Sequence, residues 1–544
     1  MQKLLFLLFG CLITVLPATV QGQTPVPLWT KFESGFESSK SYGNPLYDVR
    51  LEVTFQSPTG RSKTVFGFWD GGSSWRVRFA ADEIGEWSFR TECSDTANTG
   101  LHGQTGHLMV TPQQSPHPLY LKGTLVRPPG RYHLTHADGS PFLWFADTAW
   151  NGALKSSDTE WRLFLKDRAN LGFNAIQLVS TQWRGADGDA TGEAAFTGSG
   201  KIQLNPAFFQ RLDRKIDMVN DEGLIAAVVL LWALPVSLGK ELSPGYFLPE
   251  PEAILLARYM VARYGGNQVV WFLGGDGKYI EEYEQRWKTI GQAVFGGGEH
   301  QGLVAQHPQG RSWIGDVYAG EAWLDIVGYQ SSHGTGEQTV NWINRGPMAE
   351  RWDKLPARPL INLEPLYENG AGSNSDDVRK ACYWSLFATP VAGITYGNHA
   401  TWPWLKRGEK ALNHSGAPSP NSWQDSLAFN GVKQVSNMVR MMREQKWWDL
   451  RPRHRELLAE QPGLTDFSQF IPLLGNDDGS TILAYVPAKL PFRIRNPRLL
   501  EYRAQWFDPV ENKYSDESSV PRGPLLDFAV PFDHDGVLIL KTTP

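Results

Sequence analysis

Cysteine is scarce in this 544-residue chain, which has only Cys11, Cys93 and Cys382. So few thiols, so far apart, cannot form a disulfide framework, and Cys93 and Cys382 fall in segments of different texture. An excess of either charge is also missing. The formal net charge of −5 is spread along the sequence without a long basic run, which argues against a nucleic-acid or anionic-membrane partner. The short cluster R-P-R-H-R at Arg451–Arg455 reads as a solvated linker face. No Gly-rich phosphate loop follows the first strand of the strand–helix region, no H-E-x-x-H pair offers metal ligands, and neither internal repeats nor low-complexity segments occur. Beyond the amino terminus no apolar run has the length of a membrane span.

The one long apolar run, Leu4 to Leu16, follows Lys3 and precedes small residues near Val20-Gln21-Gly22. It reads as a secretory signal over residues 1–22, so a secreted or periplasmic protein is expected; lipoprotein anchoring at Cys11 is the minor option. What the chain has in abundance is aromatic surface: 12% Phe, Trp and Tyr, including 22 Trp. Part of this must fill β cores, and part suits stacking on the apolar faces of sugar rings.

The length exceeds what one core accommodates. Residues 23–112 carry short alternating strands with turn signals, among them Tyr47–Phe55, Val65–Trp69, Trp75–Phe79, Gly85–Arg90 and His107–Val110, the pattern of a β-sandwich. Pro112 to Pro129 reads as a linker. Within 113–455 strands then alternate with helices. The strands are Phe142–Phe145 leading into Asp147-Thr148, Asn174–Val179, Leu224–Trp232, Val269–Asp276, Leu303–His307, Leu324–Ser331, Pro359–Glu364 and Val391–Gly397. Eight alternations over about 260 residues predict a (β/α)8 TIM barrel of the α/β class. A doubly wound open sheet is the alternative, weakened by the missing phosphate loop. Gln424 to Gln445 reads as one long capping helix, and residues 456–544 return to β as a small second β-sandwich.

In such a barrel the chemistry lies at the carboxyl ends of the strands. Val269–Asp276 (V-V-W-F-L-G-G-D) is an unbroken apolar run, then two glycines, then one acid. Asp276 on strand four and Glu364 on strand seven are the expected catalytic pair, facing each other across the mouth. Glycosidic cleavage requires one carboxyl that protonates the leaving oxygen and another that attacks or activates water. The competing reading gives Asp276 a loop-closing bond and Glu364 a buried Arg or His partner.

Asp147 is the rival for Asp276. The other expected substrate-binding residues are Gln177, Gln182, Trp183, Trp232, His307, Gln330, His333, Tyr367, Glu368, Tyr396, Asn398, His399 and Trp402. Glu368 could equally be a solvated loop residue, and the tryptophans could equally be core. The histidines lack metal-ligand spacing, so no metal or organic cofactor is expected, and hydrogen bonds to sugar hydroxyls suit them better. Asp187 and Glu193 lie in a Gly/Ala-rich loop that either covers the site or is simply solvated.

Several stretches together resemble the apiosidase-like glycoside hydrolases: F-L-W-F-A-D-T-A-W (Phe142–Trp150), L-G-F-N-A-I-Q (Leu171–Gln177), V-V-W-F-L-G-G-D, L-E-P-L-Y-E (Leu363–Glu368), D-V-R-K-A-C-Y-W (Asp377–Trp384) and T-Y-G-N-H-A-T-W (Thr395–Trp402). The resemblance implies a secreted retaining exo-hydrolase of plant or algal polysaccharide side chains, with Asp276 as acid/base and Glu364 as nucleophile. Related barrels commonly carry Asn-Glu where this chain has Gly275-Asp276, and the shorter acid requires a substrate closer to strand four. Another exo-glycosidase, acting on an arabinose-, galactose- or rhamnose-type linkage, and a non-catalytic glycan-binding protein are the alternatives.

Overall fold

A computed structural model describes residues 25–235, 238–370 and 372–542. The signal segment and Cys11 lie outside the described residues. Eight parallel strands close into a barrel: β1 (Trp144–Thr148), β2 (Ala175–Val179), β3 (Ile225–Trp232), β4 (Val269–Gly275), β5 (Leu303–Gln306), β6 (Ile326–Gln330), β7 (Leu360–Glu364) and β8 (Gly393–Tyr396). Every residue of β3 and β4 is buried, as continuous apolar runs covered on both faces require. The seam closes between β1 and β8, with Trp144 opposite Gly393 and Asp147 opposite Tyr396.

Helices wrap this barrel. Asp158–Asn170 starts on a capping box in which Ser157 and Glu160 exchange side-chain-to-backbone bonds. Ser375–Phe387 repeats the device with Asn374 and Asp377. The segment expected as one helix from Gln424 is two pieces, a short 3₁₀ turn Asp425–Ala428 and the helix Asn430–Arg443, because Phe429 between them is extended. This last helix packs along Ser375–Phe387.

The amino-terminal strands form two sheets around Val53, Phe55, Val77, Phe79 and Trp87, which is a sandwich. Two expected strands differ. Asn44 caps a short helix Pro45–Asp48, so the strand read from Tyr47 begins only at Leu51. The strand read as Val65–Trp69 breaks at Gly67, where the chain passes from one sheet to the other; a Cβ there would lie 2.6 Å from Leu51 Cδ2. The proline-rich stretch after the sandwich contains a short helix, Pro118–Leu121. The sandwich is bolted to the barrel wall by ions: Arg78 and Arg263 share Asp213, and Arg263 also holds Asp70.

Beyond Arg451 a mainly antiparallel sheet is joined by the pair Pro491–Arg495 and Leu525–Ala529, around Leu473, Val486, Ile494 and Leu538. That pair escaped the sequence reading because each run is only five residues long.

Candidate active site

Asp276 follows β4 with φ of +52, a left-handed conformation that Asp tolerates better than most residues. The preceding Gly275 is dictated by space, since a Cβ there would stand 2.7 Å from the Trp232 ring. Turned this way, the Asp276 backbone N–H donates to His307 Nδ1 at 2.9 Å. His307, directly after β5, is fully buried, with its ring stacked on Phe272 and leaning on Trp150.

Glu364 ends β7. Its Oε1 lies 3.1 Å from His333 Nε2, and its Oε2 lies 3.2 Å from His307 Nε2. His333 in turn stacks on Tyr367 at 4.3 Å, and Trp150 Nε1 donates to the Tyr367 hydroxyl at 2.7 Å. Burial alone would raise the Glu364 pKa, but the two imidazole donors outweigh it and hold the carboxyl well below the usual glutamate range. Asp276 moves the other way. Burial, then the charge of Glu364, push it well above the usual aspartate range, and the Arg184 guanidinium offsets only part of this. One site thus holds an ionised carboxylate and a carboxylic acid.

Both line a cavity of about 730 Å³. Its walls are aromatic (Trp150, Trp183, Trp232, Tyr367 and Trp402), with Arg184, Gln330, His333, His399 and His414 between them and the loop Ser415–Pro420 on one side. Trp183 and Trp232 touch at 4.1 Å between ring centroids. A second hollow of about 330 Å³, between the sandwich and the helix Glu250–Tyr264, contains no Asp, Glu or His and is no rival as a reaction centre.

Of the residues expected to touch substrate, Trp183, Trp232, Gln330, His333, Tyr367, His399 and Trp402 share this cavity with the two acids. The others do not face it. Asp147 points out of the barrel, ion-paired to Arg168 and sealed from solvent, and burial lifts it to about 6 despite that partner. Gln177 spans the barrel interior, bonded to the Leu363 carbonyl and Thr395. Gln182 closes its own loop through Ala195 and Phe196. Glu368 accepts from the Tyr396 hydroxyl and the Gly431 N–H, and Asn398 caps the turn at Ala400 and Thr401. Gln182, Glu368 and Asn398 brace the loops around the mouth, and His307 stands behind Glu364. Asp187 is an exposed partner of Lys155, and Glu193 pairs with Arg211.

The sequence reading missed Trp150, Arg184 and His414. Trp150 ends the quoted D-T-A-W stretch, which was the available signal; Arg184 and His414 stand in irregular loops where no periodicity marks them. Among the described residues no His, Cys, Asp and Glu side chains gather into a metal site, and no helix is long and apolar enough to cross a membrane.

A family model described as the apiosidase-like catalytic domain matches residues 128–449, more than half of the chain. This chain belongs to the apiosidase-like family. It is a glycoside hydrolase, and the apiosidase-like region contains all eight barrel strands with Asp276 and Glu364. Residues 25–94 of this apiosidase-like protein match a domain of unknown function, DUF5060. No curated protein matches it in sequence.

Among solved structures, a glycoside hydrolase is 21% identical over 79% of this chain and 99% of its own, with a TM-score of 0.66. A glycoside hydrolase family 5 protein from Bacteroides vulgatus is 20% identical over 79% of this chain and 95% of its own, with a TM-score of 0.68. A second Bacteroides vulgatus structure is 18% identical over 96% and 100%, with a TM-score of 0.69. At these identities the likeness concerns the fold.

Proposed function

We propose that residues 113–455 form the catalytic unit of an exported exo-acting enzyme that releases a sugar from plant or algal polysaccharide side chains with retention of configuration. The observation that carries the hydrolytic reading is that Asp276 and Glu364 line one aromatic cavity, where their surroundings push the two acids in opposite directions. A Glu364 carboxylate oxygen bonds to the anomeric carbon as the glycosidic C–O bond breaks, and the Asp276 proton passes to the departing oxygen. Asp276, now a carboxylate, takes a proton from water, whose oxygen displaces Glu364 from the anomeric carbon. Glu364 leaves as the carboxylate, and both groups are restored.

A sugar ligand is supported by two unpaired atoms in the wall, Trp232 Nε1 and Gln330 Oε1, both buried without a partner. Such groups await a hydrogen-bonding ligand, and hydroxyls supply both donors and acceptors. Retention rests on the family pattern and on the two donors that hold Glu364 ionised as a nucleophile. Export rests on the amino-terminal sequence, and identifying the first residue of the mature protein tests it.

Purified protein screened on branched pectic and algal polysaccharides and aryl glycosides should release reducing sugar, and proton NMR of fresh product should show the substrate's anomer. Binding without release would make the protein a glycan-binding module, and the opposite anomer would make Glu364 a base that activates water.

The pH profile follows from the shifts. Activity is lost in acid only when Glu364 takes up a proton, which its donors resist, and in base when Asp276 loses its own. Arg184 favours the ionised form of Asp276, so Arg184→Met should move the alkaline limb of kcat/KM to higher pH. An alkaline limb that stays in place would show that the Arg184 charge does not act on Asp276.

A further inference from the structure

We propose that His307 is a positioning residue that holds the two carboxyl groups in their separate roles: the Asp276 backbone amide fixes which imidazole nitrogen carries the proton, and that proton is presented to Glu364. The inference rests on the reading of Glu364 as nucleophile.

A ring nitrogen that accepts an N–H cannot carry a hydrogen of its own. Because His307 Nδ1 accepts from Asp276 at 2.9 Å, its single proton sits on Nε2, 3.2 Å from Glu364 Oε2. Both of those atoms are buried, and neither makes a well-aligned hydrogen bond to any group, so the 3.2 Å approach is a close charge contact. With Nδ1 occupied as an acceptor, the neutral ring turns its one hydrogen toward the Glu364 Oε2 side. Its plane is set by stacking on Phe272, with ring centroids 6.2 Å apart and 17° between planes. The device depends on the left-handed turn at Asp276, which aims that amide.

His333 differs. Its side chain is 34% exposed where that of His307 is fully buried, and its Nδ1 has no partner to fix the tautomer. Glu364 therefore has Oε1 hydrogen-bonded to His333 at the cavity wall and Oε2 close to, but not aligned with, the rigid buried N–H of His307. Oε1, beside His333, is the oxygen assigned to bond the anomeric carbon. Oε2 then becomes the ester carbonyl oxygen, facing the His307 N–H throughout. Besides the two imidazoles, the titratable groups that face Glu364 are Asp276 after β4, Arg184 after β2, Tyr367 after β7 and His414 in the loop after β8.

Two substitutions separate the two halves of the device. In His307→Asn the side-chain oxygen falls near the Nδ1 position and keeps the acceptor for Asp276, but the donor to Glu364 is gone. In His307→Gln the amide nitrogen falls near Nε2 and keeps that donor. The probe is a water-soluble carbodiimide with glycine ethyl ester, applied across a pH series, with modification of the Glu364 peptide read by mass spectrometry. Protonated carboxyl is the reactive form, so the midpoint reports its ionisation without a substrate. His307→Asn should raise the midpoint by about one pH unit or more, while His307→Gln stays close to the wild type.

A midpoint unmoved in the Asn variant, or moved equally in both, overturns the proposal and leaves His307 a packing residue. Should either variant fail to fold, histidine ¹⁵N NMR of the wild type decides: the neutral His307 ring should be the Nε2–H tautomer, and the Nδ1–H tautomer would overturn the proposal. Full activity in Glu364→Gln would instead remove the nucleophile assignment and leave the labelling result standing.

Discussion

Glu364→Gln should lower kcat by about four orders of magnitude or more, because an amide can neither attack the anomeric carbon nor leave it. The fold should survive, since Gln fills the same volume. One cost is expected: the His307 and His333 nitrogens both face Glu364, and an amide offers an oxygen to only one of them. Asp276→Asn should cost about 10²–10⁴-fold, the usual worth of a positioned proton donor. Its melting temperature should be no lower than that of the wild type, because the buried acid already resists ionisation beside Glu364. The two variants can be told apart. A dinitrophenyl leaving group needs no proton, so with such a glycoside the kcat/KM deficit of Asp276→Asn should shrink while that of Glu364→Gln persists. Azide should rescue Glu364→Gly to a glycosyl azide of inverted configuration. Near wild-type turnover in either variant would remove the assignment.

The second large effect is on stability. Arg379, on the helix Ser375–Phe387, is 1% exposed and meets Asp535 of the carboxyl-terminal domain through two bonds of 2.9 and 2.6 Å. The Tyr485 hydroxyl donates to the same carboxylate at 2.8 Å. Removing the acid by Asp535→Ala leaves a guanidinium buried with its main counter-charge gone, so a loss of about 3–5 kcal/mol is expected in chemical denaturation. Arg379→Met in the Asp535→Ala background should recover part of it, since the stranded charge then goes as well. An unchanged denaturation midpoint in Asp535→Ala would show that the pair does not couple the barrel to the terminal domain.

How far the fold and site could be read in advance depended on what each strand displays. β4 advertises itself: seven buried residues, the last two of them glycines, and a single acid directly after them leave little choice about what stands at the strand end. β1 does not. All five of its residues are buried, so no alternation reveals which side chains look inward, and Asp147 was given to the mouth when it faces Arg168 on the helix side. The same ambiguity put Gln177 at the cavity when it lies beneath it. Loop residues were harder still. Arg184 and His414 enter the cavity only because of how two irregular segments meet, tied by the Asn413 side chain on the Arg184 carbonyl. The crossing at Gly67 was invisible for a related reason: a strand that changes sheets keeps its β composition throughout.

Among the described residues two cysteines are free, and they have a use beyond the reaction. Cys93 is buried in the sandwich core and Cys382 in the barrel layer, and burial pushes both thiols up and leaves them unreactive while folded. A thiol reagent can reach each one only when its own core opens. These two thiols are internal clocks for the sandwich and the barrel, and timed alkylation would tell which of those two units of an apiosidase-like enzyme opens first.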